Sequence, residues 1–209
     1  MKSISCTAGA LLAAALLSGC SLPGGGKPAQ TYRFGVPAAV AAAPSASGVV
    51  VQLNGLDFQA AAEGDRILAV NGAQTFYIAQ SRWVSPAREL FTEAADRAFE
   101  RAGMNLIRRG QPQPARANLN LTVPVFEARY LNGVETAPTV VVEIEAALAS
   151  TTGERGPLGS TRATASVPAA SNNVTSIVAA YEAASAQALD QVAAWAATTA
   201  GRAPAAQSS

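Results

Sequence analysis

The stretch Arg66-Ile67-Leu68-Ala69-Val70-Asn71-Gly72-Ala73-Gln74-Thr75-Phe76-Tyr77-Ile78 sets two apolar runs on either side of Asn-Gly. Asn-Gly between such runs is a strong hairpin signal, because a type I′ turn needs positive φ at both central residues. Two antiparallel strands are therefore expected at Arg66–Val70 and Gln74–Ile78, joined at Asn71-Gly72. Upstream, Val49, Val51 and Leu53 alternate with Val50, Gln52 and Asn54, which predicts a further strand. Downstream, Ser85 is placed to cap a helix with Pro86 at its first position. Leu90, Ala94, Ala98 and Ala102 then form one apolar stripe, flanked by Phe91 and Phe99, until Gly103 ends it.

The second half repeats the period of two. A short strand is expected at Asn105–Arg108, followed by a Pro-rich loop. Leu119, Leu121, Val123 and Val125 alternate with Asn118, Asn120 and Thr122, and Val140, Val142, Ile144, Ala146 and Leu148 alternate with Glu143 and Glu145. Each strand thus has a dry face and a wet one. Pro124 has no amide to donate and marks an edge or a bulge. Gly153 to Gly159 turns the chain into a weaker strand at Ser160–Val167. A long helix from about 173 to 200 carries Val174, Ile177, Val178, Tyr181, Leu189, Val192 and Trp195 at spacings of three and four. Strands, a helix, a three-strand meander and a final helix predict an α+β fold: a single-domain sandwich of a largely antiparallel sheet with two main helices on one face.

The amino terminus specifies an address. Lys2 precedes an uncharged segment from Ile4 to Leu17, which has the form of an export signal. It is shorter than the ~20 residues a membrane span requires. The segment closes on Leu17-Ser18-Gly19-Cys20, which resembles a lipobox. That resemblance implies cleavage between Gly19 and Cys20, a diacylglycerol on the Cys20 thiol and an N-acyl chain on the new terminus. An ordinary cleaved signal is the alternative. Two or more acyl chains anchor stably where one binds reversibly. Ser21 stands where enteric bacteria use Asp to retain lipoproteins at the inner membrane. The resemblance therefore implies the periplasmic face of the outer membrane. The chain divides accordingly into a signal peptide (1–19), a lipidated flexible tether (20–47), a domain (48–200) and a tail (201–209). Within the tether, Tyr32-Arg33-Phe34 is an apolar island able to dock as a first short strand.

Composition removes several chemistries. The chain has no histidine, which excludes Ser-His-Asp and Cys-His nucleophile systems and His-containing zinc sites. Cys6 leaves with the signal and Cys20 is acylated, so no disulfide or cysteine ligand set is expected. Loss of Lys2 leaves fourteen basic against fourteen acidic side chains, and nothing in that balance favours nucleic acid. Gly24-Gly25-Gly26-Lys27 is followed by Pro28, not by the Ser or Thr of a phosphate loop, and no strand precedes it. Asp57, Glu63 and Asp65 offer oxygen ligands for calcium, but their spacing matches no EF-hand and solvated loop carboxylates explain them. Glu143 and Glu145 share a strand face where paired carboxylates can exchange protons, although alternation alone also puts them there. No cofactor is expected beyond the acyl groups of Cys20. The sequons at Asn120 and Asn173 mean little in a chain with this signal.

Arg82-Trp83 allows two readings. The indole either staples the start of the helix to the core, or joins Tyr77 and Arg82 in an exposed patch of binding hot-spot composition, a candidate partner surface. Trp195 is expected in the core. The ordered set of lipobox, Tyr32–Phe34 island, strand, Arg66-Ile67, Phe76-Tyr77, Arg82-Trp83, Ser85-Pro86 and helix resembles the ABC-type transport auxiliary lipoproteins, the PqiC-like family. The strand ending in Val125-Phe126 and the terminal helix with Trp195 extend the resemblance over nearly the whole mature chain. One departure is the island, Tyr-Arg-Phe here where the family usually has Tyr-x-Leu. The resemblance implies a non-enzymatic component of an MCE-type lipid transport system, docking an MCE-domain periplasmic protein that works with an ABC permease and ATPase. A stand-alone periplasmic lipid carrier and an envelope-structural lipoprotein are the alternatives, and self-association into a homo-oligomer stays open.

Overall fold

The structure, a computed structural model, describes residues 28–35, 48–151 and 156–201. The expected signal peptide, the lipobox with Gly19 and Cys20, and the tail beyond 201 lie outside these residues. Eight strands and two helices follow one another: β1 (Gln30–Tyr32), β2 (Val49–Phe58), β3 (Arg66–Asn71), β4 (Gln74–Trp83), α1 (Ala87–Arg101), β5 (Met104–Arg108), β6 (Ala117–Tyr130), β7 (Thr139–Ser150), β8 (Pro157–Pro168) and α2 (Val174–Gly201).

The strand β6 is the spine of a mixed sheet. Along one edge β7 pairs with it antiparallel, and β8 continues the meander beyond β7. The other edge is shared. Its first half pairs parallel with β2, from Val51↔Ala117 to Phe58↔Val123, and its last residues pair parallel with β3, from Ala69↔Ala128 to Asn71↔Tyr130. The β5 strand adds parallel to β2, β4 pairs antiparallel with β3, and β1 lies parallel to β4. The antiparallel expectation thus describes the hairpin and the meander, while β1, β2 and β5 add parallel partners. A two-residue period does not carry strand direction, so these pairings had no local signal. Pro124 falls at the register shift of β6 against β7 between Thr122 and Val125, a bulge on a central strand that needs no amide from it.

Between β2 and β3 the shared edge of β6 would be unpaired, and Gln59 fills the gap. Its backbone N–H donates to Val123 O at 2.8 Å, its side-chain Oε1 accepts the Phe126 N–H at 2.8 Å, and its Nε2 donates to Glu127 Oε2 at 3.1 Å. Arg129 Nε bonds the other oxygen of this buried carboxylate at 2.7 Å. Beyond Gln59 the loop turns on itself and presents the Gly64 and Glu63 carbonyls to the Ala87 and Arg88 N–H groups at 2.8 and 3.2 Å.

That contact corrects the expected helix start. Pro86 occupies the cap position and no side chain caps the helix. Loop carbonyls satisfy the first amides instead of Ser85, so a hydroxyl cap is unnecessary. The hairpin turn is corrected in frame. Asn71 pairs with Gln74, which leaves Gly72-Ala73 as the central residues, with Gly72 at φ +58°. A single positive φ suffices there, as in turns of the II′ kind, and Asn71 ends the strand. The long helix starts where expected: Asn173 Oδ1 accepts the Ser176 N–H at 2.8 Å.

Both helices cover one face of the sheet. Leu90, Phe91, Ala94, Ala95, Ala98 and Phe99 of α1 are buried, as is the stripe Ile177, Tyr181, Leu189 and Val192 of α2. The alanines at 180, 184, 188, 193 and 196 are buried too, so small side chains let α2 lie close to the sheet. Trp195 is partly buried against this core. At the centre Phe126 meets Phe34, Phe58, Phe91 and Tyr181, with ring centroids 4.9–6.2 Å apart. The fully buried Tyr181 hydroxyl donates to Leu68 O at 2.6 Å, tying α2 to β3. Burial pushes its pKa well above the usual tyrosine value, with the negative charge of Glu127 adding to it, so it remains a donor.

Part of the span expected as tether belongs to the fold. Gln30–Tyr32 form β1, Phe34 is wholly buried, and the Gly35 N–H donates to Glu182 Oε2 on α2 at 2.6 Å. Arg33 pairs with Glu93 on α1. Gly35 has φ +72°, a conformation strained for any residue with a Cβ, and a Cβ there would also stand 3.1 Å from the Ala94 Cβ on α1.

Gln59 generates a prediction. Gln59→Ala strands the Phe126 amide and removes a partner of Glu127, which should cost about 1–3 kcal/mol. Gln59→Glu faces Glu127 with a second carboxylate and should cost more. Urea denaturation ranks the two, and equal stability of wild type and both variants would show the bridge to be dispensable.

Candidate functional surface

The patch expected at Tyr77, Arg82 and Trp83 sits on an irregularity of β4. Arg66 pairs with Arg82 and Leu68 with Tyr77, so Ile67 alone stands opposite Ile78 to Ser81. The extra residues loop outward through Gln80, whose φ of +54° is unusual for a side chain with a Cβ. The Ser81 hydroxyl faces the Ile78 and Ala79 carbonyls at 3.0 and 3.3 Å, closing the bulge.

This bulge separates the three residues. Trp83 turns inward, is 2% exposed, and packs edge-on against Phe34 and Tyr181 at 5.0 and 5.3 Å. It is therefore a core residue and no member of an exposed patch, which is the staple reading of Arg82-Trp83. Tyr77 and Arg82 remain at the surface. The Arg66 guanidinium carbon lies 3.6 Å from the Tyr77 ring centroid, and the Tyr77 hydroxyl donates to Ala61 O at 3.0 Å. Arg82 Nη1 bonds Asp65 Oδ2 at 3.1 Å. With Ala29, Ile78, Ala79, Gln80 and Ser81 these side chains line an open groove of about 440 Å³. Arg66 was legible only as the first residue of a strand. Its place over Tyr77 depends on the bulge, for which no sequence signal stood out.

The other candidate residues are distributed elsewhere. Asp57 is exposed on β2, Asp65 is engaged by Arg82, and Glu63 lies 3.9 Å from Arg88. Among the described residues no cluster of three or more His, Cys, Asp and Glu side chains has a metal-binding arrangement. Glu143 and Glu145 do share the wet face of β7, and Arg162 of β8 reaches both, with Nη1 3.3 Å from Glu143 Oε1. The pair is thus part of a partly exposed ion triad beside another open groove, of about 480 Å³, edged by Asn120, Thr122, Ser160 and Arg162. Among the described residues no helix is long and apolar enough to cross a membrane.

Residues 32–193 match the model of the ABC-type transport auxiliary lipoprotein component. The chain belongs to that family. It is thereby an auxiliary lipoprotein of an ABC-type transport system, held at a membrane of the cell envelope by lipid. None of the curated protein sequences matches it. Among solved structures it is similar in fold to a Xanthomonas campestris protein, at TM-score 0.63 and 18% identity over 84% of this chain and 89% of that one. A second, described only as an uncharacterized protein, gives TM-score 0.59 and 16% identity over 78% and 95%. A protein from Caulobacter crescentus gives 0.41 and 23% over 56% and 85%.

The two fates of Arg82-Trp83 predict opposite outcomes. Trp83→Ala should lower stability by about 3–5 kcal/mol, as for a truncated core aromatic. Arg82→Ala, at an exposed ion pair, should change it by no more than about 1 kcal/mol. Thermal denaturation of both variants checks this, and an unchanged midpoint for Trp83→Ala would contradict the core assignment.

Proposed function

We propose that the protein is a non-enzymatic docking component of an MCE-type ABC system that moves lipid between the inner and outer membranes. The observation that carries this reading is the family match over 32–193, joined to a lipobox ending at Cys20. The acylated Cys20 would hold the domain at the periplasmic face of the outer membrane, as Ser21 implies. Its partner there would be the MCE-domain protein, engaged at the outer-membrane end of the assembly.

The chemistry of the chain fits an adaptor. A nucleophile or metal site built on histidine is impossible without one. Glu143 and Glu145, the carboxylate pair best placed for proton transfer, are held by Arg162. A lipid carrier needs an enclosed apolar cavity. Among the described residues, the groove at Arg66, Tyr77 and Arg82 and the groove beside Arg162 are open and edged by polar side chains, a form that suits docking.

Affinity purification of the tagged, acylated protein from detergent-solubilised envelopes tests the proposal. The MCE protein of the same system should co-purify, and palmitate label should be on the chain. Cys20→Ala should lose the label and leave the outer-membrane fraction. Labelled protein that captures no MCE partner would overturn the docking role; a Cys20→Ala variant that still labels would overturn the anchor.

A further inference from the structure

The groove at Arg66, Tyr77 and Arg82 lies where the chain leaves the domain toward its amino terminus. Ala29 lines it, and only nine peptide steps separate Ala29 from Cys20. Nine residues at full extension span at most about 32 Å. If Cys20 is acylated, the groove can never be farther than that from the membrane surface. A tether this short also holds it at an effective concentration on the order of millimolar toward that surface. A weak contact is then populated.

We propose that this groove is the membrane-facing surface of the domain and binds the phosphodiester headgroups of anionic phospholipids. The proposal rests on the anchor reading of Cys20. Arg66 is exposed, and among the described residues no carboxylate lies within ion-pair distance of it; its plane is supported by the Tyr77 ring at 3.6 Å. A guanidinium so held presents its donors to a phosphate oxygen pair in a ready fork. Arg82 is exposed in a pair with Asp65, and such a surface pair exchanges partners at little cost. Tyr77 supplies the ring that supports this guanidinium and is itself fixed by its hydroxyl on Ala61 O. Alongside, Ala79 and Val84 are exposed, Val84 at 53%, and offer apolar contact to the interface. The bulge that lifts Gln80 outward at φ +54° sustains an uncommon backbone conformation at this rim, where strain accompanies a working surface.

Quenching in vesicles tests the proposal with the full acylated chain. With Cys6 removed and Cys20 acylated, an introduced cysteine is the single free thiol. Bimane is attached at Gln80→Cys, on the bulge, or at Ser166→Cys, exposed on the distant β8. The protein is reconstituted into vesicles of phosphatidylethanolamine and phosphatidylglycerol, 3:1, doped with a headgroup-nitroxide lipid. Quenching at 80 should exceed that at 166 by at least about threefold, fall several-fold in Arg66→Gln/Arg82→Gln, and fall likewise in pure phosphatidylcholine. Thermal denaturation verifies that the double variant is folded. Equal quenching at the two positions, or quenching at 80 indifferent to both arginines, would overturn the proposal. So would a folded double variant that loses the MCE protein on co-purification while its quenching is unchanged, since the groove would then be a protein-docking surface. Mass measurement of the reconstituted chain separates the levels: a chain without acyl groups overturns the anchor reading and the proposal together, whereas an acylated chain without quenching overturns the proposal alone.

Discussion

Burial of Phe34 ties the amino-terminal strap of this protein to its fold. The ring lies 5.0 Å from Trp83 and 5.3 Å from Phe126, inside the cluster that joins sheet and helices. Around it the strap is fastened on three sides. Tyr32 O accepts the Val84 N–H at 2.7 Å, Arg33 pairs with Glu93 on α1, and the Gly35 N–H bonds Glu182 on α2. Because the segment before β2 is part of the core, the chain leaves the domain at Gln30. A tether running from Cys20 to residue 47 would reach about 95 Å; one that ends at Gln30 reaches about 35 Å. If Cys20 carries the lipid, as proposed, the domain stays beside its own membrane.

The same cluster organises the sheet. Phe126 projects from β6 at the point where one edge of that strand passes from β2 to β3, and Gln59 supplies the hydrogen bonds that neither strand can. The loop after Gln59 then provides the carbonyls for the first turn of α1 and accepts the Trp83 N–H at Asp65 O, 2.7 Å away. Strand change, helix start and the burial of Trp83 are therefore one arrangement. The bulge in β4 follows from it: Trp83 must point inward beside Phe34 while Tyr77 stays at the surface, and the four residues Ile78 to Ser81 are taken up by the loop through Gln80.

Most elements were legible in the sequence because their signals are local. Alternation marked β2, β6 and β7 to within a few residues, Asn173 marked the start of α2, and Pro124 marked the bulge in β6. What the sequence could not show depends on contacts between distant segments. Direction of pairing leaves no trace in a two-residue period, so the parallel contacts of β6 with β2 and β3 were invisible. Ser85 has the chemistry of a cap, but the carbonyls of Glu63 and Gly64 reach the helix first. Asn71-Gly72 signals a turn correctly, yet its frame was decided by the pairing of Asn71 with Gln74. At the surface, Tyr77 and Arg82 could be named from composition, whereas Arg66 joins them only because the bulge brings it over the Tyr77 ring.

The anchored strap is the claim on which the membrane geometry stands, and hydrogen exchange of the full, vesicle-anchored protein tests it most directly. The Gly35 and Val84 amides, one bonded to Glu182 and the other to Tyr32, should exchange orders of magnitude more slowly than an unstructured peptide and on the scale of the neighbouring core strands. Exchange of both at the rate of a free peptide would contradict the account, because Phe34 would then be released and the tether would extend to residue 47.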